Sequence, residues 1–303
     1  MEWARPFLKW AGGKSQLLED LDRRLPDEVK NRKIKRYIEP FVGGGAFFFH
    51  IAQRYSPEEI HILDINEELI LAYRVIQRAV DRLVEGLGKI EARYLSLPQD
   101  ERARLYYQIR EEFNREKRGF DFENCGESGI ERVIRLIFLN RTCYNGLYRV
   151  NSRGEFNVPF GKYREPRILN ESGLRCASQL LKGVHIQKGD FSTCDTLVDD
   201  RTFVYFDPPY RPISRTSSFT AYSEGSFSDA DQRRLARFFQ RMHVRGARLM
   251  LSNSDPKNVD PSDGFFDQLY SEFRIERVPA RRAISSNGEG RGVLNELVIT
   301  NYR

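Results

Sequence analysis

A chain of 303 residues with 40% hydrophobic and 30% charged side chains can bury a substantial core, which excludes intrinsic disorder and suits one large domain or two modest ones. It has no apolar run of about 18 residues, and Met1-Glu2-Trp3-Ala4-Arg5 does not open as a signal peptide, so no membrane span and a cytoplasmic location are expected. Net charge is +6 with a pI near 9.1, a bias toward a polyanionic partner. The cysteines at 125, 143, 176 and 194 form no CxxC pair, so reduced thiols are expected rather than a disulfide or metal site. The four scattered histidines are expected to be structural.

In chain order, Phe7-Leu8-Lys9-Trp10-Ala11-Gly12-Gly13-Lys14 has no periodicity. It reads either as a terminal strand with a turn or as a loop that wraps a ligand and reaches it with a lysine. Arg36-Tyr37-Ile38-Glu39-Pro40-Phe41 is a strand broken by proline, Gly43-Gly44-Gly45 a turn, and Ala46-Phe47-Phe48-Phe49-His50-Ile51 the start of a helix. Glu59-Ile60-His61-Ile62-Leu63-Asp64 is a second strand, which completes the opening of a doubly wound α/β sheet.

From 66 to 118 the period becomes helical, with Leu69, Tyr73, Ile76 and Val80 on one face and Leu105, Ile109 and Phe113 on another. A further helix is predicted over 130–139, and a β-hairpin over 150–158 turning at Arg153-Gly154. Strands then resume near 184–186, 203–206, 247–251 and 296–300, with a helix after Ser228. About a hundred residues between resumptions is too long for a loop. The expected organisation is therefore a discontinuous catalytic domain, 1–66 and 170–303, interrupted by a mostly helical domain at 67–169. From Arg141 to Arg167 six basic residues (141, 149, 153, 162, 164, 167) stand against two acids (155, 165); a solvated charged face is the ordinary alternative to a phosphate-binding surface.

The glycine loop from Glu39 to Gly45 lies between strand and helix, where glycines permit a tight turn and close approach of a ligand. It is neither GxGxxG nor a phosphate P-loop, which argues against a nicotinamide dehydrogenase. Asp64 ends the next strand, where an acid can accept bonds from ribose hydroxyls. Gly189-Asp190-Phe191 offers an acceptor and a ring at another strand end. Asp207-Pro208-Pro209-Tyr210 follows the apolar run Thr202-Phe203-Val204-Tyr205-Phe206. The Asp207 carboxylate and a proline carbonyl are acceptors, and Tyr210 supplies a stacking face. That set suits a planar aromatic bearing an amine; a capped proline turn is the alternative.

Taken in order, the motifs resemble the Dam-type DNA adenine-N6 methyltransferases. They are FLKWAGGK at 7–14, EPFVGGGAFF at 39–48, DIN at 64–66, LNRTCYNGLYRVN at 139–151, GEFNVPFG at 154–161 and DPPY at 207–210. The likeness continues through Phe227-Ser228, Gln232, 251–255 and Asn295-Glu296-Leu297, leaving out most of 67–129. It implies a Rossmann-like sheet with an inserted DNA target-recognition domain carrying a β-hairpin. It also implies S-adenosyl-L-methionine (AdoMet) as methyl donor, S-adenosyl-L-homocysteine as product, and no metal.

By the same resemblance, AdoMet would be held by Trp10, Ala11, Gly12, Lys14, Glu39, Pro40, Phe41, Gly43, Asp64, Ile65, Asp190, Phe191 and Asp207. Asp207, Pro208, Pro209 and Tyr210 would receive the target base. Double-stranded DNA would meet Lys9, Tyr144, Asn145, Leu147, Arg149, Asn157, Pro159 and Tyr163, a set that goes with GATC. Tyr144 and Asn145 match the intruding residues, Arg149 a guanine reader, Lys9 and Tyr163 readers of the outer guanine, and Leu147 and Pro159 apolar surface for a thymine methyl. Thr142-Cys143 and Tyr148 depart from the family pattern and bear on flank preference.

An exocyclic amine is a weak nucleophile because its lone pair is delocalised into the ring. Accepting its hydrogens at Asp207 and the Pro208 carbonyl favours a pyramidal nitrogen, so positioning and electrostatics suffice without a covalent nucleophile. Another DNA site, N4 of cytosine, RNA, or a silent DNA-binding module remain as alternatives. A monomer is expected, with a restriction endonuclease as a functional rather than physical partner.

Overall fold

A computed structural model of the protein describes residues 3–10, 12–211, 227–281 and 293–303; Ala11, expected in the cofactor loop, lies outside the described residues. Its strands are β1 (Arg36–Glu39), β2 (Glu59–Asp64), β3 (His185–Lys188), β4 (Thr202–Phe206), β5 (Arg248–Ser254), β6 (Arg274–Arg281) and β7 (Val293–Thr300), and its helices begin with α1 (Leu18–Arg23), α2 (Asp27–Lys30) and α3 (Ala46–Arg54). Among the described residues they form one sheet in the order β3-β2-β1-β4-β5-β7-β6. β1 pairs in parallel with β2 and with β4, and β4 in parallel with β5, whereas β7 runs antiparallel to both β5 and β6. This α/β architecture is the expected one, with β6 and the antiparallel β6–β7 pair added to it.

Chain packing divides into two units, Met1–Gly13 with Gly43–Phe49 and Asp64–Lys188, and Lys14–Val42 with His50–Leu63 and Gly189–Arg303. In the second unit every residue of β4 is buried. A central parallel strand is covered on both faces and so reads as an unbroken apolar run rather than an alternating one. Ile38, Val204, Phe206, Phe238, Phe239, Leu249, Leu251 and Ile299 form its core. The helix expected after Ser228, α8 (Asp229–Val244), starts with a reciprocal capping box between Ser228 and Asp231. β1 has one parallel neighbour that follows it directly in the chain and another reached by a long crossover. That reversal marks a switch point, and open α/β sheets bind ligands at the carboxyl ends of such strands. Glu39-Pro40-Phe41 and Asp207-Pro208-Pro209-Tyr210 leave β1 and β4 there.

The first unit holds α4 (Glu67–Ser96), α5 (Gln99–Glu116), α6 (Glu127–Thr142) and α7 (Glu171–Leu181). Asn66 caps α4 by accepting from the Leu69 amide. Leu69, Tyr73 and Ile76 are buried as the period predicts, but Ala79 leaves helical geometry (φ −141°, ψ 34°). The kink turns the apolar face, so Val80 is only half-buried and burial resumes at Leu83, Val84 and Leu87. Leu105, Ile109 and Phe113 of α5 are buried as expected. Arg132 of α6 is 0% exposed and forms an ion pair with Glu68, 2% exposed, with Nε 2.9 Å from Oε2. Its guanidinium lies 4.3 Å from the Phe113 ring and 4.7 Å from that of Phe120.

The turn at Arg153-Gly154 is present, yet in place of a ladder there is a single antiparallel bridge, Val150 to Phe156, with another from Cys143 to Phe160. The first bridge makes its two cross-strand bonds, the Asn151 amide to the Glu155 carbonyl at 2.9 Å and the Asn157 amide to the Arg149 carbonyl at 3.1 Å. The backbone groups of Phe156 and Val158, which face away from the partner segment, go to side chains of α5. Asn114 takes both the amide and the carbonyl of Phe156 (2.8 and 3.0 Å), and the Tyr106 hydroxyl donates to the Val158 carbonyl at 2.7 Å. The segment's backbone groups are satisfied by the helix beneath it.

Candidate active site

In the second unit, Asp207 follows β4 and meets Lys14, whose ammonium donates to both carboxylate oxygens at 2.6 and 2.8 Å. Lys14 is 4% exposed and Asp207 18%. Burial pushes the Asp207 carboxyl up to about 6, against the pull of the Lys14 charge. The same ammonium lies 4.6 Å from the centre of the Tyr210 ring, and the Tyr210 hydroxyl donates to Glu296 on β7 at 2.5 Å. Burial, then the negative charges of Asp207 and Glu296, hold the Tyr210 hydroxyl far above its ordinary pKa. The ring is therefore fixed from its tip by Glu296 and from one face by Lys14.

Gln232 on α8 donates to the Pro209 carbonyl at 3.2 Å, and Asn253 donates to Gln232 at 3.4 Å; both are fully buried. The proline turn is thus held by an amide relay, while Pro208 is buried and Pro209 exposed. Glu39 is 2% exposed and accepts from Tyr37. Pro40 is buried behind it. Phe41 is half-buried, its ring 5.7 Å from that of Phe191 and 5.6 Å from that of Phe227. Asp190 accepts from the Ser192 amide at 3.0 Å and from both ends of the Arg234 guanidinium at 2.7 and 2.8 Å. The arginine comes first in holding its carboxyl down at about 2.

In the first unit, Asp64 accepts from the Gly43 and Asn66 amides at 3.0 and 2.9 Å. Burial raises its pKa while those amides oppose the rise. Ile65 beside it is 56% exposed, and Gly12 is exposed. Gly43 has φ +47°, and a Cβ there would lie 3.1 Å from the Trp10 ring, so a side chain would be strained and crowded. Trp10 stacks on Tyr148 with centroids 4.9 Å apart.

The expected DNA-reading residues of this unit gather in two sets. Lys9 belongs to the first: its main chain donates to and accepts from the Asn140 side chain at 2.8 and 2.9 Å, and Asn140 also donates to the Gly146 carbonyl at 3.0 Å. Gly146 (φ +63°) leaves room for the Lys9 stem, which a Cβ would meet at 2.1 Å, and the Lys9 ammonium lies 5.4 Å over the Tyr163 ring. Tyr144, 55% exposed, and Asn145 stand on the turn that Asn140 fastens. In the second set, exposed Arg149 donates to the Asn157 side chain at 2.8 Å, and the Asn157 amide to the Arg149 carbonyl at 3.1 Å. Pro159 is exposed and accepts from the Tyr144 amide at 2.8 Å, while Leu147 is half-buried.

Glu296, Gln232 and Asn140 were not among the expected site residues, although each lies inside a stretch that carries the resemblance. Arg234 had no such signal, because it is one arginine in a charged helix.

The family model of the D12 class N6 adenine-specific DNA methyltransferases matches residues 10–284. The type II methyltransferase M.MjaIII of Methanocaldococcus jannaschii is 50% identical over 299 residues, 98% of this chain and 99% of that one. The type II methyltransferase M1.LlaDCHI of Lactococcus lactis is 37% identical, and the DNA adenine methylase of Escherichia coli K12 is 36% identical; each alignment covers 98% of this chain and 95% of the relative. With a family match over nearly its whole length, and with DPPY at the end of a switch-point strand, the chain belongs to the D12 class N6 adenine-specific DNA methyltransferases.

Proposed function

We propose that this methyltransferase acts on the adenine of GATC in double-stranded DNA, after turning that adenine out of the helix. The observation that carries the reading is the Asp207 corner: a buried carboxylate paired with Lys14, beside a Tyr210 ring braced by Glu296. Bound AdoMet supplies an electrophilic methyl group. Asp207 accepts one hydrogen of the adenine amine, and the Pro208 carbonyl accepts the other. The lone pair is thereby released from the ring, and Tyr210 holds the base by stacking. Lys14 keeps the carboxylate in its acceptor form. An amine inside a duplex is out of reach, and extruding the base costs a few kcal/mol. Exposed Tyr144 and Asn145 are suited to fill the space left behind.

The donor set fits AdoMet. Asp64, held by two amides, suits the ribose hydroxyls, and exposed Ile65 leaves apolar surface beside it. Asp190 and Phe191 suit the adenine end. Trp10, Ala11, Gly12, Glu39, Pro40, Phe41 and Gly43 would complete the site. For the DNA sequence, Arg149 oriented by Asn157 suits a bidentate pair with guanine. Lys9 with Tyr163 suits the outer guanine, and Leu147 and Pro159 a thymine methyl. Residues 67–169 would form the target-recognition part, and 1–66 with 170–303 the catalytic part. A type II partner endonuclease fits the names of two relatives.

The test is to methylate unmethylated genomic DNA with labelled AdoMet and map every modified base. N6-methyladenine confined to GATC is the expected result. N4-methylcytosine, or N6-methyladenine at another sequence, would overturn the assignment of base or of site respectively.

A further inference from the structure

We infer that Arg234 is a positioning residue for the adenine of the methyl donor: it fixes the Asp190 carboxylate so that one oxygen is filled and the other can accept the exocyclic amine. The inference rests on the assignment of Asp190 and Phe191 to the adenine end of the site. Asp190 Oδ1 takes three donors, the Ser192 amide at 3.0 Å, the Ser192 hydroxyl at 2.8 Å and Arg234 Nη1 at 2.7 Å. Among the described residues Oδ2 takes one, Arg234 Nη2 at 2.8 Å. A carboxylate oxygen offers about two lone-pair sites. The crowded oxygen has no capacity left, and the other retains room for one more donor.

Two parallel N–H bonds fix the plane of a carboxylate in a way that a single ammonium cannot. A half-exposed ion pair contributes little stability by itself, so the use of this fork lies in its geometry. The guanidinium carbon also lies 4.1 Å from the centre of the Phe191 ring, and Phe191 is 1% exposed. Arg234 therefore braces both halves of the Asp190-Phe191 pair. Its second acidic contact, Asp231 at 3.7 Å, is on its own helix. An arginine here would raise selectivity for an amine over an oxo group at the purine 6-position. The reason is that an ionised, immobile acceptor rejects a ligand that brings a carbonyl oxygen to the same place.

The experiment compares S-adenosyl-L-homocysteine with S-inosyl-L-homocysteine, in which oxygen replaces the amine, by calorimetric titration of the full chain. The variants are Arg234→Ala, Arg234→Lys and Asp190→Asn. The wild type should prefer the amine ligand by about tenfold or more, because a desolvated acceptor facing a carbonyl oxygen is left without a donor. Arg234→Ala should shrink that preference several-fold, Arg234→Lys should lie between, and affinity for duplex DNA should not move. Equal weakening of both ligands by Arg234→Ala, or no change in the ratio, overturns the positioning role. If the wild type binds both ligands alike, or Asp190→Asn keeps the wild-type ratio, the adenine assignment itself fails and takes the inference with it.

Discussion

At the end of β4, Lys14, Asp207, Tyr210 and Glu296 spend their polar atoms on one another, and Lys14 and Asp207 are largely withdrawn from water. Between Tyr144 and Tyr163 the arrangement is inverted. There the backbone is held, by Asn140, Asn114 and Tyr106, while Tyr144, Arg149, Pro159 and Lys162 stand exposed. A reaction site gains from groups whose geometry is fixed before the substrate arrives. A reading surface must keep its side-chain ends free for bases and phosphates, so the order has to be built into the main chain. Damage should therefore differ in kind: lost chemistry in the first region, lost selectivity in the second.

The largest effect is expected from Asp207→Ala. Turnover on a GATC duplex should fall by about 10³-fold, the upper range for removing one preorganised group that acts on the reacting centre. DNA affinity by fluorescence anisotropy should stay within about threefold. Near-normal turnover would remove Asp207 from the chemistry and dissolve the contrast between the regions. Arg149→Ala should behave oppositely. Discrimination against a substituted guanine should drop by about 1–3 kcal/mol, with turnover on the cognate site much less affected. Unchanged discrimination would end its role as a reader.

A smaller effect separates two carboxylates of the second unit. Asp207 titrates near 6 because of burial, so the acceptor form is populated above that pH and is lost as pH falls through it. Turnover under saturating substrates should decline about tenfold per pH unit below 6, and Asp207→Asn should abolish that limb along with most of the activity. Asp190, held down at about 2 by Arg234, stays ionised throughout, so the preference for an amine over an oxo group at the cofactor's adenine should be flat over the same range. The raised Asp207 pKa also stabilises the folded chain most at low pH; that contribution fades as pH rises from 3.8 to 6.

Much of this was legible in the sequence wherever chemistry and local structure coincide. The run from Thr202 to Phe206 reads as a buried strand because every residue is apolar or β-branched, and the acid and prolines that end it form the proposed site. β1 and β2 read the same way, each closing on an acid. Legibility failed where the decisive contact is distant in sequence. The hairpin pattern of 150–158 is real but reduced to one bridge, and the outward-facing backbone groups of Phe156 meet Asn114 on another element, a contact with no local signal. Val80 fits the helical period of its neighbours, and only the kink at Ala79 turns it partly outward. Glu296 is an alternating residue of an antiparallel strand until that strand is placed two positions from β4. The alternating charges of β6, Arg274-Ile275-Glu276-Arg277, hide an edge strand, as does Pro279 within it.

The smallest effect sharpens the comparison inside the proposed reading surface. Lys162 is exposed and its neighbourhood is basic, which suits a phosphate contact rather than a base contact. Lys162→Ala should weaken GATC and scrambled duplexes by the same few-fold factor. The slope of log K against log salt should become shallower by about 1, the release of one counterion. Lys162 sits at φ +56°, a left-handed backbone that lysine and alanine tolerate alike, so the substitution removes a charge without changing the strain. An unequal effect on the two duplexes would move Lys162 from the phosphate contacts to the base readers. A slope that does not change would return it to the solvated face of the protein.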